Sequence, residues 1–241
     1  MERIGDLYHE YTKYSRRDIS NRISREAGPE LFIEYTDAEK IELPEPQKQG
    51  GMPIWECIST RRSLRNFTGE SVTREELSQL LYATQGITGD IEGFPLRAAP
   101  SAGALYPIET YLVINSVAEI ETGIYHYNIH DSNLEFLKKG DFSDKISSAA
   151  LEQSFLSKAS VVFIWAAVPQ RTRRKYGERG WRYIYKDAAH ICANLYLAAT
   201  SLKLGCCAIG ACFDDEVNSI LNLDGKTETV VYMAGVGRVQ V

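Results

Sequence analysis

VVFIWAAV at residues 161–168 and WRYIYKDAAHICANLYLAATSLKL at residues 181–204 decide the fold class. The first run is apolar throughout between Ser160 and Pro169, too uniform for an edge strand, and predicts a buried central one. In the second, Ile184, Ala188, Ile191, Leu195, Ala198 and Leu202 recur at alternating steps of four and three until Gly205. That spacing predicts a long helix with an apolar stripe. Alanines at 188, 189, 193, 198 and 199 let another helix approach closely, which places this helix at the centre of the fold or of a dimer. Upstream, Thr73 and Glu76 form a capping box ahead of Leu77, Leu80, Leu81 and Thr84, with Gly86 as the stop. Strands are predicted at residues 110–114, 124–127 and 134–137, the last two joined by a turn at 130–133. A helix over 142–156, a strand at 207–209, a helix at 215–221 and a strand at 229–236 complete the pattern. Strands and helices do not alternate regularly enough for a doubly wound parallel sheet, so the class is α+β.

Composition agrees with one globular unit. Of 241 residues 44% are hydrophobic and 24% charged, with 18 Gly and 8 Pro, which excludes disordered and fibrous chains. A chain of this length buries roughly 70–75% of its unfolded surface and needs no disulfide or metal staple. Residues 1–50, ending in the Pro/Gly-rich LPEPQKQGG run (43–51), read as an arm and linker, and residues 51–241 as a single domain. A net charge of -5 gives no general attraction to nucleic acid or to an anionic membrane. The opening MERIGDLYHEYTKYSRR has no apolar leader core, and the run at 161–168 is far short of the ~20 residues that span a bilayer, so a cytoplasmic protein is expected. Cys57, Cys192, Cys206, Cys207 and Cys212 are odd in number and mostly set in apolar sequence, which reads as reduced thiols. No Cys or His stands at zinc-ligand spacing, and no metal is expected. The 14 tyrosines fit a recognition surface, a wall for a planar ligand, or core rings with a polar end.

Familiar nucleotide loops fail on inspection. Gly225-Lys226-Thr227 has Ile220 where a phosphate loop needs glycine, and Gly235-Val236-Gly237 has no helix after it. His9-Glu10 is followed by Lys13 instead of a second zinc-binding His, and Ser101 lacks a nucleophile-elbow setting. Four segments remain. In RRSLRNF (61–67), Arg61, Arg62 and Arg65 crowd around Ser63 just after a helix-like stretch at 53–59. Three guanidiniums so close repel one another, and a phosphate would relieve that while accepting their donors; a solvated basic loop is the other reading. In APSAGALYP (99–107) two prolines bracket small residues that would let a flat ligand lie on backbone, or simply make a tight loop. GCCAIGACF (205–213) places Gly210 and Ala211 where a strand ends. RTRRKYGERGWR (171–182) packs six basic residues with Tyr176 and Trp181, a pattern that ordinarily marks a solvated face.

Taken in order and at these separations, R-R-S-x-R-x-F, P-S-A-G-A-L-Y-P, G-x-x-x-I-G-A-x-F-D-D and a final G-V-G-R resemble the flavin-dependent nitroreductase superfamily, nearest to its SagB-type azoline dehydrogenase branch. YHEYTKYSR (8–16), GIYHYN (123–128) and KYGERGWR (175–182) extend the likeness over nearly the whole chain. The resemblance implies a central, mostly antiparallel sheet surrounded by helices, an intertwined homodimer, and FMN at each subunit interface. It places Arg61, Arg62, Ser63 and Arg65 on the FMN phosphate and ribityl chain, with Arg238 as a further phosphate partner. Pro100, Ser101, Ala102, Gly103 and Ala104 would line the ring from the opposite subunit, and Ile209 and Gly210 from their own. Lys175 and Tyr176 match a catalytic Lys-Tyr pair used for proton transfer. Both groups titrate near pH 10 when unperturbed, so a base role needs help from neighbours such as Arg173, Arg174 and Arg179. His190 reads as a core histidine. The implied activity is hydride transfer through flavin N5, oxidising an azoline in a modified peptide. The alternatives are an NAD(P)H-dependent reductase of nitro or quinone compounds, a non-catalytic flavin-binding module, and a phosphate-recognition domain without flavin.

Overall fold

The computed structural model describes residues 3–16 and 28–240. Along the chain run α1 (Ile4–Tyr11), β1 (Glu39–Glu42), α2 (Ile54–Thr60), α3 (Arg74–Gln85), β2 (Ile87–Ile91), β3 (Phe94–Arg97) and β4 (Ile108–Ile114). They are followed by β5 (Gly123–Asn128), β6 (Asn133–Lys139), α4 (Ser143–Ala149), β7 (Val161–Ala167), α5 (Pro169–Tyr176), α6 (Gly180–Ser201), β8 (Gly205–Ile209), α7 (Asp214–Leu221) and β9 (Thr229–Gly237). Seven strands form one sheet in the order β1-β6-β5-β4-β7-β9-β8, and each neighbouring pair is antiparallel. β2 and β3 form a separate two-stranded ribbon.

β7 is the central strand that its apolar run predicts, buried along its whole length between β4 and β9. Its alternate side chains feed two cores. Phe163 and Trp165 join Leu112, Tyr125 and the α3 and α6 residues Leu80, Leu81, Ile184, Ile191 and Leu195 on one face. Val162 and Ile164 meet Tyr111, Ile124, Met233 and the α4 and α7 residues Ile146, Val217 and Leu221 on the other. Fully burying each such aliphatic side chain contributes roughly 1.5–3 kcal/mol, so the stripe of α6 fixes that helix on the sheet. The α3 capping box forms as read: Thr73 accepts from the Glu76 N–H, and Glu76 accepts from the Thr73 N–H.

The helix expected over 142–156 is broken. α4 ends at Ala149, Leu151 and Glu152 take φ of 56° and 58°, and a separate 3-10 turn (Ser154–Lys158) follows. Two successive left-handed residues cannot continue an α-helix. Within the segment read as an arm, Glu39–Glu42 pairs with β6 and adds an edge strand to the sheet. Gly237 has a packing reason: a Cβ there would lie 2.9 Å from the backbone nitrogen of Ser160.

Candidate functional site

α2 ends at Thr60, and the Arg61–Arg65 segment is tied to β8 by the Leu64 N–H, which donates to the Cys206 carbonyl at 3.0 Å. Arg61 lies over the Tyr196 ring, 5.2 Å from its centroid, and Arg65 over Phe155 at 5.8 Å. Ser63 Oγ and Tyr196 Oη share a 2.9 Å hydrogen bond, and Tyr196 Oη also accepts from the Ala208 N–H at 2.8 Å. Ile209 and Gly210 follow directly at the end of β8, and a Cβ on Gly210 would meet nothing closer than Tyr232 at 3.7 Å. Arg61, Ser63 and the end of β8 that carries Ile209 and Gly210 therefore share one region, anchored by Tyr196 of α6, with Arg62 next to Arg61 in the chain, whereas Phe155 under Arg65 packs against the opposite core. Among the described residues no carboxylate pairs with Arg61, Arg62 or Arg65. Guanidiniums without a carboxylate partner keep donors open to an anionic ligand. Arg238 is engaged otherwise: it donates to Glu76 at 2.7 Å and to the Ser71 carbonyl at 3.4 Å.

A second cluster sits farther along α6. Ser101 Oγ donates to Asp187 at 2.6 Å, the Ala102 N–H donates to the same carboxylate at 3.2 Å, and the Tyr106 N–H donates back to Ser101 Oγ at 2.9 Å. The loop these bonds hold is strained, with φ of 66° at Gly103, 53° at Ala104 and 42° at Tyr106. A Cβ on Gly103 would fall 2.6 Å from Tyr176 Oη and 2.8 Å from Lys175 Nζ. The loop thus meets the Lys-Tyr pair, and the φ of 66° at Gly103 favours glycine there. Burial raises the Asp187 carboxyl above its ordinary value, opposed by the Ser101 and Ala102 donors. Asp187→Ala is expected to cost on the order of 2–4 kcal/mol by leaving these donors unpaired, and hydrogen exchange at Ala102 and Tyr106 should rise ahead of the rest of the chain. Exchange at those amides rising only with global unfolding would contradict this role.

Asp187 and Tyr196 are nine residues apart on α6, about 13.5 Å along its axis at 1.5 Å per residue. Within one chain, residues 100–104 gather with Lys175 and Tyr176, while Arg61 and Ser63 gather with the end of β8 that carries Ile209 and Gly210 at a different level of the helix. Between them α6 exposes Ala189, His190 and Ala193. The core role expected for His190 is wrong: the residue is exposed, with Nδ1 3.3 Å from the Pro100 carbonyl, because it lies off the buried stripe. Two of the three neighbours expected to assist Lys175 are committed elsewhere, and Arg174 donates to the Arg171 carbonyl at 3.4 Å. Arg173 pairs with Glu178, and Arg179 donates to Tyr183 Oη and the Thr12 carbonyl.

The solvated face expected for residues 171–182 is corrected at Arg171, which is 2% exposed. It pairs with buried Glu109 and donates to the carbonyls of Glu30 at 2.6 Å and Tyr106 at 3.2 Å, fixing α5 against β4 and the strained loop. His126 lies between Glu135 at 2.8 Å and Glu109 at 3.3 Å. Burial alone would lower the imidazole, but hydrogen bonds to both carboxylates outweigh it and raise it from 6.5 to about 9. Glu228 beside Tyr111 is pushed by burial from 4.5 to about 7. Both folded-state values exceed the unfolded ones. The Glu228 contribution is complete below pH 4.5 and lost as pH rises through about 7; that of His126 is complete below 6.5 and lost through about 9. Stability is therefore expected to fall by on the order of 2–3 kcal/mol between pH 6.5 and 9, and His126→Gln to flatten that slope in urea denaturation. A wild-type profile that is flat or rising over this window would contradict the assignment.

Sequence reasoning missed Asp187, Tyr196, Glu109 and His126. Asp187 did leave a signal, a carboxylate three residues after Ile184 and four before Ile191 on the buried stripe. Among the described residues no helix is long and apolar enough to cross a membrane.

Comparison with known proteins completes the assignment. Residues 58–238 match the nitroreductase family. A nitroreductase-family protein of Methanocaldococcus jannaschii is 36% identical over 187 residues, covering 78% of this chain and 91% of its own length. The trifolitoxin-processing protein TfxB of Rhizobium leguminosarum bv. trifolii is 34% identical over 140 residues, covering 56% of this chain and 38% of its own. A crystal structure from Anabaena variabilis superposes with a TM-score of 0.78 at 27% identity over 97% of this chain and 47% of that one. The chain thus spans less than half the length of those last two proteins. Fold likeness alone extends to the McbBCD microcin synthetase complex of Escherichia coli with truncated pro-MccB17 bound, with TM-score 0.66 and 22% identity over 99% of this chain and 92% of that one. It also extends to a Desulfovibrio desulfuricans protein crystallised with FMN, with TM-score 0.55 and 17% identity over 80% of this chain and 89% of that one. With its antiparallel sheet, its flanking helices and this match over most of its length, the chain belongs to the nitroreductase family and has the nitroreductase fold.

Proposed function

We propose that the chain is an FMN-dependent oxidoreductase acting as a homodimer, and that its substrate is an azoline ring in a modified peptide. The observation that carries the flavin reading is the segment Arg61–Arg65, whose three arginines have no carboxylate partner among the described residues and whose Ser63 is tied through Tyr196 to the end of β8 and the open backbone at Gly210. These side chains would hold the phosphate and ribityl chain, and Ile209 and Gly210 would face the ring. Residues 100–104 sit about 13.5 Å away along α6 in their own chain, so the loop lining that ring is supplied by a second copy packed on the small face of Ala189 and Ala193. The FMN bound to the Desulfovibrio desulfuricans relative supports the cofactor. The names of the trifolitoxin-processing and microcin synthetase relatives support a peptide substrate.

Oxidation of an azoline to an azole removes one hydride, carrying the electron pair, and one proton. FMN, when bound, would supply the acceptor for the electron pair, and dioxygen, reduced with two protons to hydrogen peroxide, would be the final acceptor. The chain's own task is the proton. In this reading Lys175 and Tyr176, whose side-chain ends lie near Gly103 at the end of the helix that Arg171 anchors, would take it. Lys175→Ala is expected to lower turnover of a thiazoline peptide by about 10²–10⁴-fold while the protein keeps its flavin. Unchanged turnover would remove Lys175 from the mechanism. The nitroreductase name of the Methanocaldococcus jannaschii relative favours a second reading, reduction of a nitro compound, for which NAD(P)H would be the electron donor. Rapid anaerobic bleaching by NADH or NADPH, with no bleaching by the thiazoline peptide, would select it.

A further inference from the structure

The ribbon β2–β3 lies outside the main sheet, and its chemistry is not used by the site described above. It leads through Ala98 and Ala99 straight into the loop at 100–104, and Phe94 stacks on Tyr106 with ring centroids 6.3 Å apart and planes 17° apart. The ribbon is closed by Glu92-Gly93, with φ of 53° and 84°, between Ile91 and Phe94, and the Gly93 N–H donates to Asp90 at 2.8 Å. Positive φ at both central residues is the signature of a two-residue hairpin turn.

The two outer edges differ. Asp90 stands opposite Pro95, which has no N–H, so this pair cannot exchange ladder bonds and both residues turn their backbone groups outward. On the β3 edge the outward group is the proline ring nitrogen, which blunts that edge. On the β2 edge it is the N–H and C=O of Asp90, next to a Gly89 that meets nothing within 4 Å; the register shifts at Thr88, whose hydroxyl donates to the Leu96 carbonyl at 3.4 Å, so the open edge is the short stretch 89–91. The tip adds an apolar pair, Ile91 at 60% exposure and Phe94 at 40%, and two carboxylates, Asp90 and Glu92, without ion-pair partners among the described residues.

We propose that the β2 edge is the docking strand for the peptide substrate: an extended segment pairs with the Asp90 backbone, sets an apolar side chain on Ile91 and Phe94, and sets a basic side chain against Asp90 and Glu92. The assignment rests on the peptide reading of the proposed function and deepens it. Strand addition draws affinity from main-chain hydrogen bonds and specificity from alternate side chains, which suits an enzyme that must hold a peptide while one modified residue reaches the loop beside Tyr106.

The test uses a fluorescein-labelled octapeptide of alternating lysine and leucine, titrated by fluorescence anisotropy into the full-length, FMN-loaded protein. Saturable binding is expected. It should weaken about tenfold in the D90N/E92Q variant, whose amide oxygen at position 90 still accepts from the Gly93 N–H, and about tenfold when alternate backbone nitrogens of the probe are methylated in one of the two registers. The methylated probes need no variant, so a folding defect cannot imitate the result. Equal binding by both methylated probes, equal binding by the variant, or no saturable binding overturns the proposal. So does Ile91→Cys cross-linking between chains that the probe fails to suppress, which would seat a second copy on this edge. Binding is read without turnover and stands or falls separately from azoline oxidation.

Discussion

An R61A/R62A variant is expected to emerge from desalting colourless after incubation with FMN, with the far-ultraviolet circular dichroism of the parent. Each charge-assisted hydrogen bond to a phosphate contributes roughly 1.5–3 kcal/mol, so removing two guanidiniums weakens FMN by about 10²–10⁴-fold. The fold is expected to survive because neither arginine has an ion-pair partner among the described residues. Arg62 bonds only the nearby carbonyls of Ser59 at 3.2 Å and Arg61 at 2.7 Å, and Arg61 rests on the outer face of Tyr196. Full retention of colour would remove the phosphate assignment. An Arg238→Ala variant is a useful contrast, since that guanidinium is already neutralised by Glu76.

The largest loss of stability is expected from Arg171→Leu. Arg171 and Glu109 are 2% and 1% exposed, and the arginine also satisfies the carbonyls of Glu30 and Tyr106. Removing the arginine leaves Glu109 with His126 as its only ion-pair partner among the described residues and two carbonyls without their donor, and costs about 3–5 kcal/mol, a large share of the ~5–15 kcal/mol that holds a typical domain. Pairing the change with Glu109→Gln should recover part of it. Urea denaturation measures both, and a loss under about 1 kcal/mol in the single variant would show that the pair is not a structural anchor. The same change loosens α5, so the Lys175-Tyr176 end should exchange amide protons faster than β7.

What is legible in the sequence is what periodicity and local chemistry write there. The run at 161–168 and the stripe of α6 need no tertiary knowledge, and Thr73 with Glu76 form their box within one turn. The break after Ala149 is not legible, because Leu151 and Glu152 adopt left-handed backbone without a glycine to announce it. β1 escapes notice because EKIE is charged, and its pairing partner Asn133–Phe136 lies about ninety residues on. The basic run at 171–182 hides a buried residue because the partner of Arg171 stands 62 residues upstream on another strand. Of the candidate site, the arginine cluster is visible as local crowding. The supports that hold it, Tyr196 under Arg61 and Asp187 under Ser101, depend on which face of α6 meets which loop, and only the fold supplies that.

The most direct measurement is the flavin content of the purified protein. After incubation with FMN and desalting, a yellow protein is expected, with one FMN per chain and two chains per particle by light scattering. A protein that stays colourless, or a yellow monomer that turns over a thiazoline peptide, would contradict the shared flavin site.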